Sequence, residues 1–231
     1  MKAIPFRDCF FYKPSIIVNM QQSSQHKLSE EQLDHLVDQL VEQGFGIVDQ
    51  FISDEEIGQF IRRFHDLSEE GELRKAGIGK MQHFAVDKKI RGDYIHWIDP
   101  QDMVAVTAGY VSRVQQIMEY LNRSCYLGLK DFEAHFAMYP EGTFYKRHAD
   151  RFHQNPHRVI SMVCYMNQGW TEADGGQLRM FLPDQEIDIA PLSGRLVCFK
   201  SELEHEVLLT HRTRYSVTGW MLDQLSSLTF L

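Results

Sequence analysis

At 231 residues, 43% hydrophobic and 12% aromatic, the chain is long and apolar enough to bury one large core, which excludes a disordered polymer. A formal net charge of −8 argues against a protein that lives on nucleic-acid phosphates or anionic lipid. No run approaches the ~20 apolar residues of a membrane span, and the four scattered cysteines, Cys9, Cys125, Cys164 and Cys198, fit a reducing, cytoplasmic compartment.

Residues 1–27 read as a flexible N-terminal segment. Its apolar patches, Phe10-Phe11 and Ile16-Ile17-Val18, are interrupted by charges and by Pro5 and Pro14, so it lacks the core of a signal peptide. Met20 opens a polar stretch, and Met1 and Met20 both fit as the start. Residues 28–231 read as a single domain, with helical support over 28–124 and a β-rich core over 125–222. Ser29-Glu30-Glu31-Gln32 is a capping-box sequence. Leu33, Leu36, Val37, Leu40 and Val41 follow at helical spacing, and Gly44 ends the helix. Phe45 to Phe51 predicts a short strand. A second capping box, Ser53 to Glu56, opens a helix with Ile57, Phe60, Ile61 and Phe64 on one face. Residues 68–89 lose all periodicity and predict a long loop. Ile90 to Ile98 predicts a strand, and Asp102 to Arg123 a long amphipathic helix.

From residue 125 short runs rich in aromatic and β-branched residues appear: Phe132–Tyr139, Val159–Tyr165, Gln177–Phe181, Arg195–Phe199 and Arg214–Trp220. Gly, Pro and Asp separate them, which is the pattern of an antiparallel sandwich or barrel. The expected fold class is therefore α+β and β-rich, a double-stranded β-helix (jelly roll) buttressed by N-terminal helices.

His148-Ala149-Asp150 sets an imidazole and a carboxylate two residues apart, on one face where the backbone is extended. The pair is common by chance and needs a third ligand. His205 supplies one, just after the apolar run Leu196-Val197-Cys198-Phe199, and two histidines with one carboxylate suit Fe(II) oxygenase chemistry. Arg214 opens a strand on whose face Ser216, Thr218 and Trp220 also lie. Buried there, a guanidinium requires an anion and matches a carboxylate bidentately; exposed, it is one more member of the basic cluster His211-Arg212-Arg214. Several neighbours carry plainer expectations. His153 and His157 belong to a polar loop, Asp174-Gly175-Gly176 to a turn, and Glu204 and Glu206 to solvent. His135 shares a strand face with Tyr139 and could approach the site.

The order H-x-D, then His205, then Arg214 nine residues on resembles the 2-oxoglutarate dioxygenase superfamily. The stretch Tyr139 to Asp150 resembles the metal-site approach of the hypoxia-sensor prolyl hydroxylases and their bacterial relatives. So do Tyr165-Met166-Asn167, Gly175 to Arg179, His205-Glu206-Val207 with Arg214-Tyr215, and Ile90 to Asp93 with Trp97-Ile98. The resemblance implies iron ligation by His148, Asp150 and His205. It implies that Arg214 binds the distal carboxylate of 2-oxoglutarate with help from Tyr165, near Tyr139 and Leu178. Tyr145, Arg158 and Trp220, with Arg91, Asp93 and Trp97, match the substrate side. The cofactor is then Fe(II), with 2-oxoglutarate and O2 as co-substrates and ascorbate as an accessory. The partner is a protein with a target proline, elongation factor Tu being the candidate from bacterial members; succinate and CO2 are released. The turn before Tyr145 is shorter than in the family and Arg151–His157 departs from animal members; these departures bear on the substrate specificity the resemblance implies and not on the iron site.

On the same resemblance, residues 71–89 are expected to form a flap over a bound polypeptide. Arg91, Asp93 and Trp97 stand at its hinge, and an Arg158–Asp93 pair ties it to the metal. Oxidation of a small molecule such as a free amino acid is the alternative; the acidic balance disfavours an alkylated base. A jelly-roll binding module without turnover would have no need of all three ligands and Arg214.

Overall fold

The computed structural model describes residues 27–76, 90–99, 105–151 and 155–225. The expected N-terminal segment therefore lies outside the described residues, but for Lys27, and so does the expected flap from residue 77 onward. Helix α1 (Glu30–Glu42) begins as its sequence dictates: the Ser29 hydroxyl accepts the Gln32 N–H while the Gln32 side chain accepts the Ser29 N–H. Gly44, at φ 82°, turns the chain into strand β1 (Phe45–Val48). Helix α2 (Asp54–Glu69) carries the same reciprocal cap between Ser53 and Glu56. Helix α3 (Ala105–Cys125) buries Tyr110, Val114, Ile117 and Leu121.

The first part of the loop expected over 68–89 contains regular structure. Helix α2 runs to Glu69, and Arg74–Lys75 form a strand, β2, paired with β3 (Tyr94–Trp97). Both β2 residues are exposed, so no burial pattern marks them. Strand β3 is correspondingly shorter than the expected Ile90 to Ile98. The remaining strands are β4 (Asp131–Tyr139), β5 (Tyr145–His148), β6 (Arg158–Tyr165), β7 (Leu178–Phe181), β8 (Glu186–Ile189), β9 (Leu196–Lys200), β10 (His205–Val207) and β11 (Arg214–Leu222). They form a seven-stranded sheet, β1-β9-β6-β11-β4-β3-β2, and a four-stranded sheet, β5-β10-β7-β8.

Alternation along the strands makes two cores. Met162 and Cys164 of β6 and Cys198 of β9 face the helices, joining Leu36, Phe60, Phe64 and Tyr110. Val163 and Tyr165, one residue away, face the small sheet and meet Leu178, Met180 and Ile189. The helices therefore brace one face of the large sheet and leave its other face to the interior of the roll. No helix among the described residues is long and apolar enough to cross a membrane.

Candidate active site

The interior face of the large sheet is laid out by its register. Tyr139 of β4 opposes Arg214 of β11, Ala137 opposes Ser216, His135 opposes Thr218, and Glu133 opposes Trp220. Strand β6 continues the rows with Tyr165 beside Ser216 and Ser161 beside Trp220, and β3 adds Trp97 beside His135. Opposed residues of an antiparallel pair point the same way. One strand pair thus carries a guanidinium at one end of the interior and an indole at the other.

Above this floor stand His148, at the end of β5, Asp150, and His205, which opposes His148 from β10. One ligand atom from each lies within 4.8 Å of the others. The His148 ring donates its Nδ1–H to the Lys146 carbonyl at 2.8 Å, and the His205 ring donates its own to the Leu203 carbonyl at 2.9 Å. A carbonyl can only accept, so both Nε2 atoms carry bare lone pairs. They face the Asp150 oxygens at 3.7 Å and 3.6 Å. Lone pairs aimed at a carboxylate repel unless a cation lies between them. A proton does not serve, because burial and then the neighbouring His205 ring push the His148 pKa well down. Burial would raise the Asp150 pKa, but positive charge at the His205 and His148 ring sites, the Trp220 indole and the Ser161 hydroxyl act to hold it below the usual range. The Trp220 N–H is near enough to favour the charged carboxylate yet makes no hydrogen bond of normal geometry. The donor set fits a divalent iron with open positions.

Arg214 is 1% exposed, and no carboxylate among the described residues pairs with it. Among the described residues its Nη1 reaches the Ser216 hydroxyl at 3.5 Å, and its Nε meets no hydrogen-bond partner. The rings of Tyr139 and Tyr165 flank the guanidinium at 5.1 Å and 4.9 Å, and the buried Tyr165 hydroxyl lies near Arg214 but makes no hydrogen bond of normal geometry among the described residues. The surface reading of Arg214 is thereby excluded, and the group is shaped for a carboxylate. Gly176, at φ 66°, makes room: a Cβ there would lie 3.1 Å from the Arg214 Cδ. Leu178 packs in the same apolar cluster as Tyr165.

On the remaining side Tyr145 stacks on His148 at 3.7 Å, and the Arg91 guanidinium lies over the same tyrosine ring at 4.4 Å. The expected Arg158–Asp93 pair does not form. Asp93 is held by Arg91, whose Nε donates at 2.7 Å, because the two stand two residues apart on an extended segment. Arg158 instead donates to Glu133 at 2.6 Å and lies 3.5 Å over the Trp220 ring. The tie between this segment and the metal ligands runs through Arg91, Tyr145 and His148. Trp97, 47% exposed, leads inward to His135 at 5.0 Å, and His135 to Trp220 at 5.4 Å. His135 is thus on the Tyr139 face as expected. His157 pairs with Asp223 at 2.7 Å and takes no part, while His153 lies outside the described residues. Glu204 pairs with exposed Arg147, and Asp174 closes a turn on Thr171. Ser161 escaped the sequence reading, and Gly176 was read there only as part of a turn and of the family-like stretch. The signal for Ser161 was a hydroxyl on the same face of an apolar strand as Tyr165.

A model of the 2OG-Fe(II) oxygenase superfamily matches residues 134–222. The crystal structure of a Pseudomonas putida prolyl-4-hydroxylase is 41% identical, with 83% of this chain and 99% of that chain covered and a TM-score of 0.74. A Trichoplax adhaerens prolyl hydroxylase, in complex with a hypoxia inducible factor peptide fragment, superposes with a TM-score of 0.77 at 24% identity, over 87% of this chain and 96% of that one. Prolyl hydroxylase EGLN3 of Mus musculus is 29% identical over 203 residues, 83% of each chain. The hypoxia-inducible factor prolyl hydroxylase of Caenorhabditis elegans is 30% identical over 83% of this chain, which spans only 28% of that longer protein.

Proposed function

Because this chain belongs to the 2OG-Fe(II) oxygenase superfamily, in its prolyl hydroxylase branch, we propose that it hydroxylates a prolyl residue of a cytoplasmic protein, with elongation factor Tu as the candidate. One observation carries the reading: an open three-ligand face and a buried guanidinium lacking a carboxylate partner share one interior. When bound, Fe(II) with 2-oxoglutarate and O2, and ascorbate as accessory reductant, supplies the oxidising chemistry. His148 and His205 hold the metal by Nε2, and Asp150 holds it by a carboxylate oxygen. Arg214 grips the far carboxylate of 2-oxoglutarate, the Tyr165 hydroxyl adds a donor, and Tyr139 and Leu178 wall the cleft. Tyr145, Arg158, Trp220, Arg91, Asp93 and Trp97 line the substrate side. A half-exposed Trp97 at the mouth offers an apolar surface to a polypeptide and is superfluous for a free amino acid.

The test is mass spectrometry of purified elongation factor Tu, and of a whole-cell lysate, after incubation with enzyme, Fe(II), 2-oxoglutarate and O2. A gain of one oxygen on a proline is expected, coupled to 2-oxoglutarate consumption and lost in His148→Ala and His205→Ala. Oxygen gain on free amino acids alone would replace the protein substrate. Full activity in either histidine variant would remove the ligand assignment.

A further inference from the structure

We propose that Ser161 and Ser201 form a hydroxyl relay that fixes Asp150 as a one-oxygen ligand of the metal, a positioning role that rests on the ligand assignment above. Ser161 lies on the interior face of β6, and both serines are 0% exposed. The Ser161 hydroxyl lies 2.7 Å from Asp150 Oδ2 and 2.9 Å from the Ser201 hydroxyl. An ionised carboxylate only accepts, so the single proton of Ser161 is committed to Asp150. Ser161 must then accept from Ser201. The relay has one direction, from Ser201 through Ser161 to Asp150, and each bond polarises the next.

The backbone of Ser201 holds the same ligand from another side. Its carbonyl accepts the Asp150 N–H at 3.0 Å and the Arg151 N–H at 2.8 Å, while its own N–H donates to the Val159 carbonyl at 3.0 Å. Ser201 also sits on the connection from β9 to β10, four residues before His205. One residue therefore couples the segment after β5, which bears the carboxylate ligand, to the connection that leads to His205 on β10. Packing does not require these hydroxyls, since alanine fills the same interior of a strand without a polar group to satisfy.

The consequence is coordination number. With Oδ2 held by Ser161, Asp150 presents one oxygen to the metal. A carboxylate that gripped with both oxygens would occupy a position that 2-oxoglutarate or O2 must take. The relay keeps the open face open.

The test titrates Mn(II) into metal-free protein by calorimetry. Ser161→Ala should weaken Mn(II) binding about 10–100-fold, the usual cost of losing a ligand's hydrogen-bonding support. Ser161→Thr, which keeps the hydroxyl, should restore it. Ser201→Ala should weaken binding less. The double variant should be no weaker than Ser161→Ala alone, because the Ser201 hydroxyl acts through Ser161. Unchanged affinity in Ser161→Ala, or losses that add in the double variant, would overturn the relay. Should Ser161→Ala not fold, unchanged affinity in Ser201→Ala overturns it instead. His205→Ala separates the two readings. Wild-type Mn(II) affinity in that variant refutes the ligand assignment, whereas loss there with retention in Ser161→Ala refutes the relay only.

Discussion

Arg214 is an expensive side chain to bury, a guanidinium between two tyrosine rings with a long contact to Ser216 and no carboxylate partner among the described residues. A buried charge without a partner is tolerated only where a ligand supplies one. Lysine keeps the charge but offers a point donor where a carboxylate meets a fork. Arg214→Lys should therefore raise the 2-oxoglutarate requirement by roughly 10–150-fold, corresponding to about 1.5–3 kcal/mol for a charge-assisted pair. Tyr165→Phe should act in the same direction and more weakly. Steady-state kinetics against 2-oxoglutarate reads both, and an unchanged requirement in Arg214→Lys would mean the carboxylate binds elsewhere. This much was legible in the sequence because a metal face needs chemically distinctive residues in a fixed order. The partners of Arg158 and Asp93 were not. The Arg91–Asp93 bond is local to one segment, and the Arg158–Glu133 pair forms across β11, whose registers with β4 and β6 no sequence pattern reveals.

At the scale of elements, legibility followed length and periodicity. The two capping boxes and the nine-residue strands β4 and β11 have patterns long enough to read. Strands β5, β8 and β10 have four, four and three residues, with exposed or polar positions that mimic loops. Yet β5 and β10 carry both candidate histidine ligands. Their pairing with each other, not their propensity, makes them strands. The turn before β7 shows how an element serves the site. Gly176 occupies the left-handed region, and a methyl group there would meet Arg214 Cδ at 3.1 Å and Thr210 Cβ at 3.2 Å. Gly176→Ala should cost about 1–2 kcal/mol of stability for the backbone alone. It should also weaken 2-oxoglutarate binding several-fold by displacing Arg214. Urea unfolding and the kinetic constants measure the two effects separately. A lower midpoint with unchanged 2-oxoglutarate affinity would show that the loop moves and Arg214 does not.

Taken whole, the molecule is a sheet with a core on each face, one built with helices and the other containing the histidines. That interior disfavours charge on His135 and His148. Burial, and then Arg91 and Arg158, push the His135 pKa down to about 3 against an opposing pull from Asp150. Burial, and then His205, push His148 down to about 4. The sign of the linkage follows. Below the ordinary value of 6.5 the unfolded chain takes up protons that the folded interior refuses, so stability falls as pH falls. Each such histidine contributes a slope of about 1.4 kcal/mol per pH unit. The share of His148 is smaller, because a fifth of its side chain (20%) reaches solvent. The lowered carboxylates Glu56, Asp150, Asp174 and Asp188 act in the same sense only below their ordinary values of 4.5 and 3.8. The window between about pH 6.5 and 4.5 is thus governed, among these displaced groups, by the two histidines. Urea unfolding of metal-free protein at about pH 7, 6 and 5 should show unfolding free energy declining across that window. His135→Leu keeps the apolar contact with Trp97 and Trp220 and removes one titrating group. It should flatten the decline by about 1.4 kcal/mol per pH unit. An identical slope in the variant would mean that His135 takes up its proton inside the folded protein, and that the interior beside Trp220 is wet.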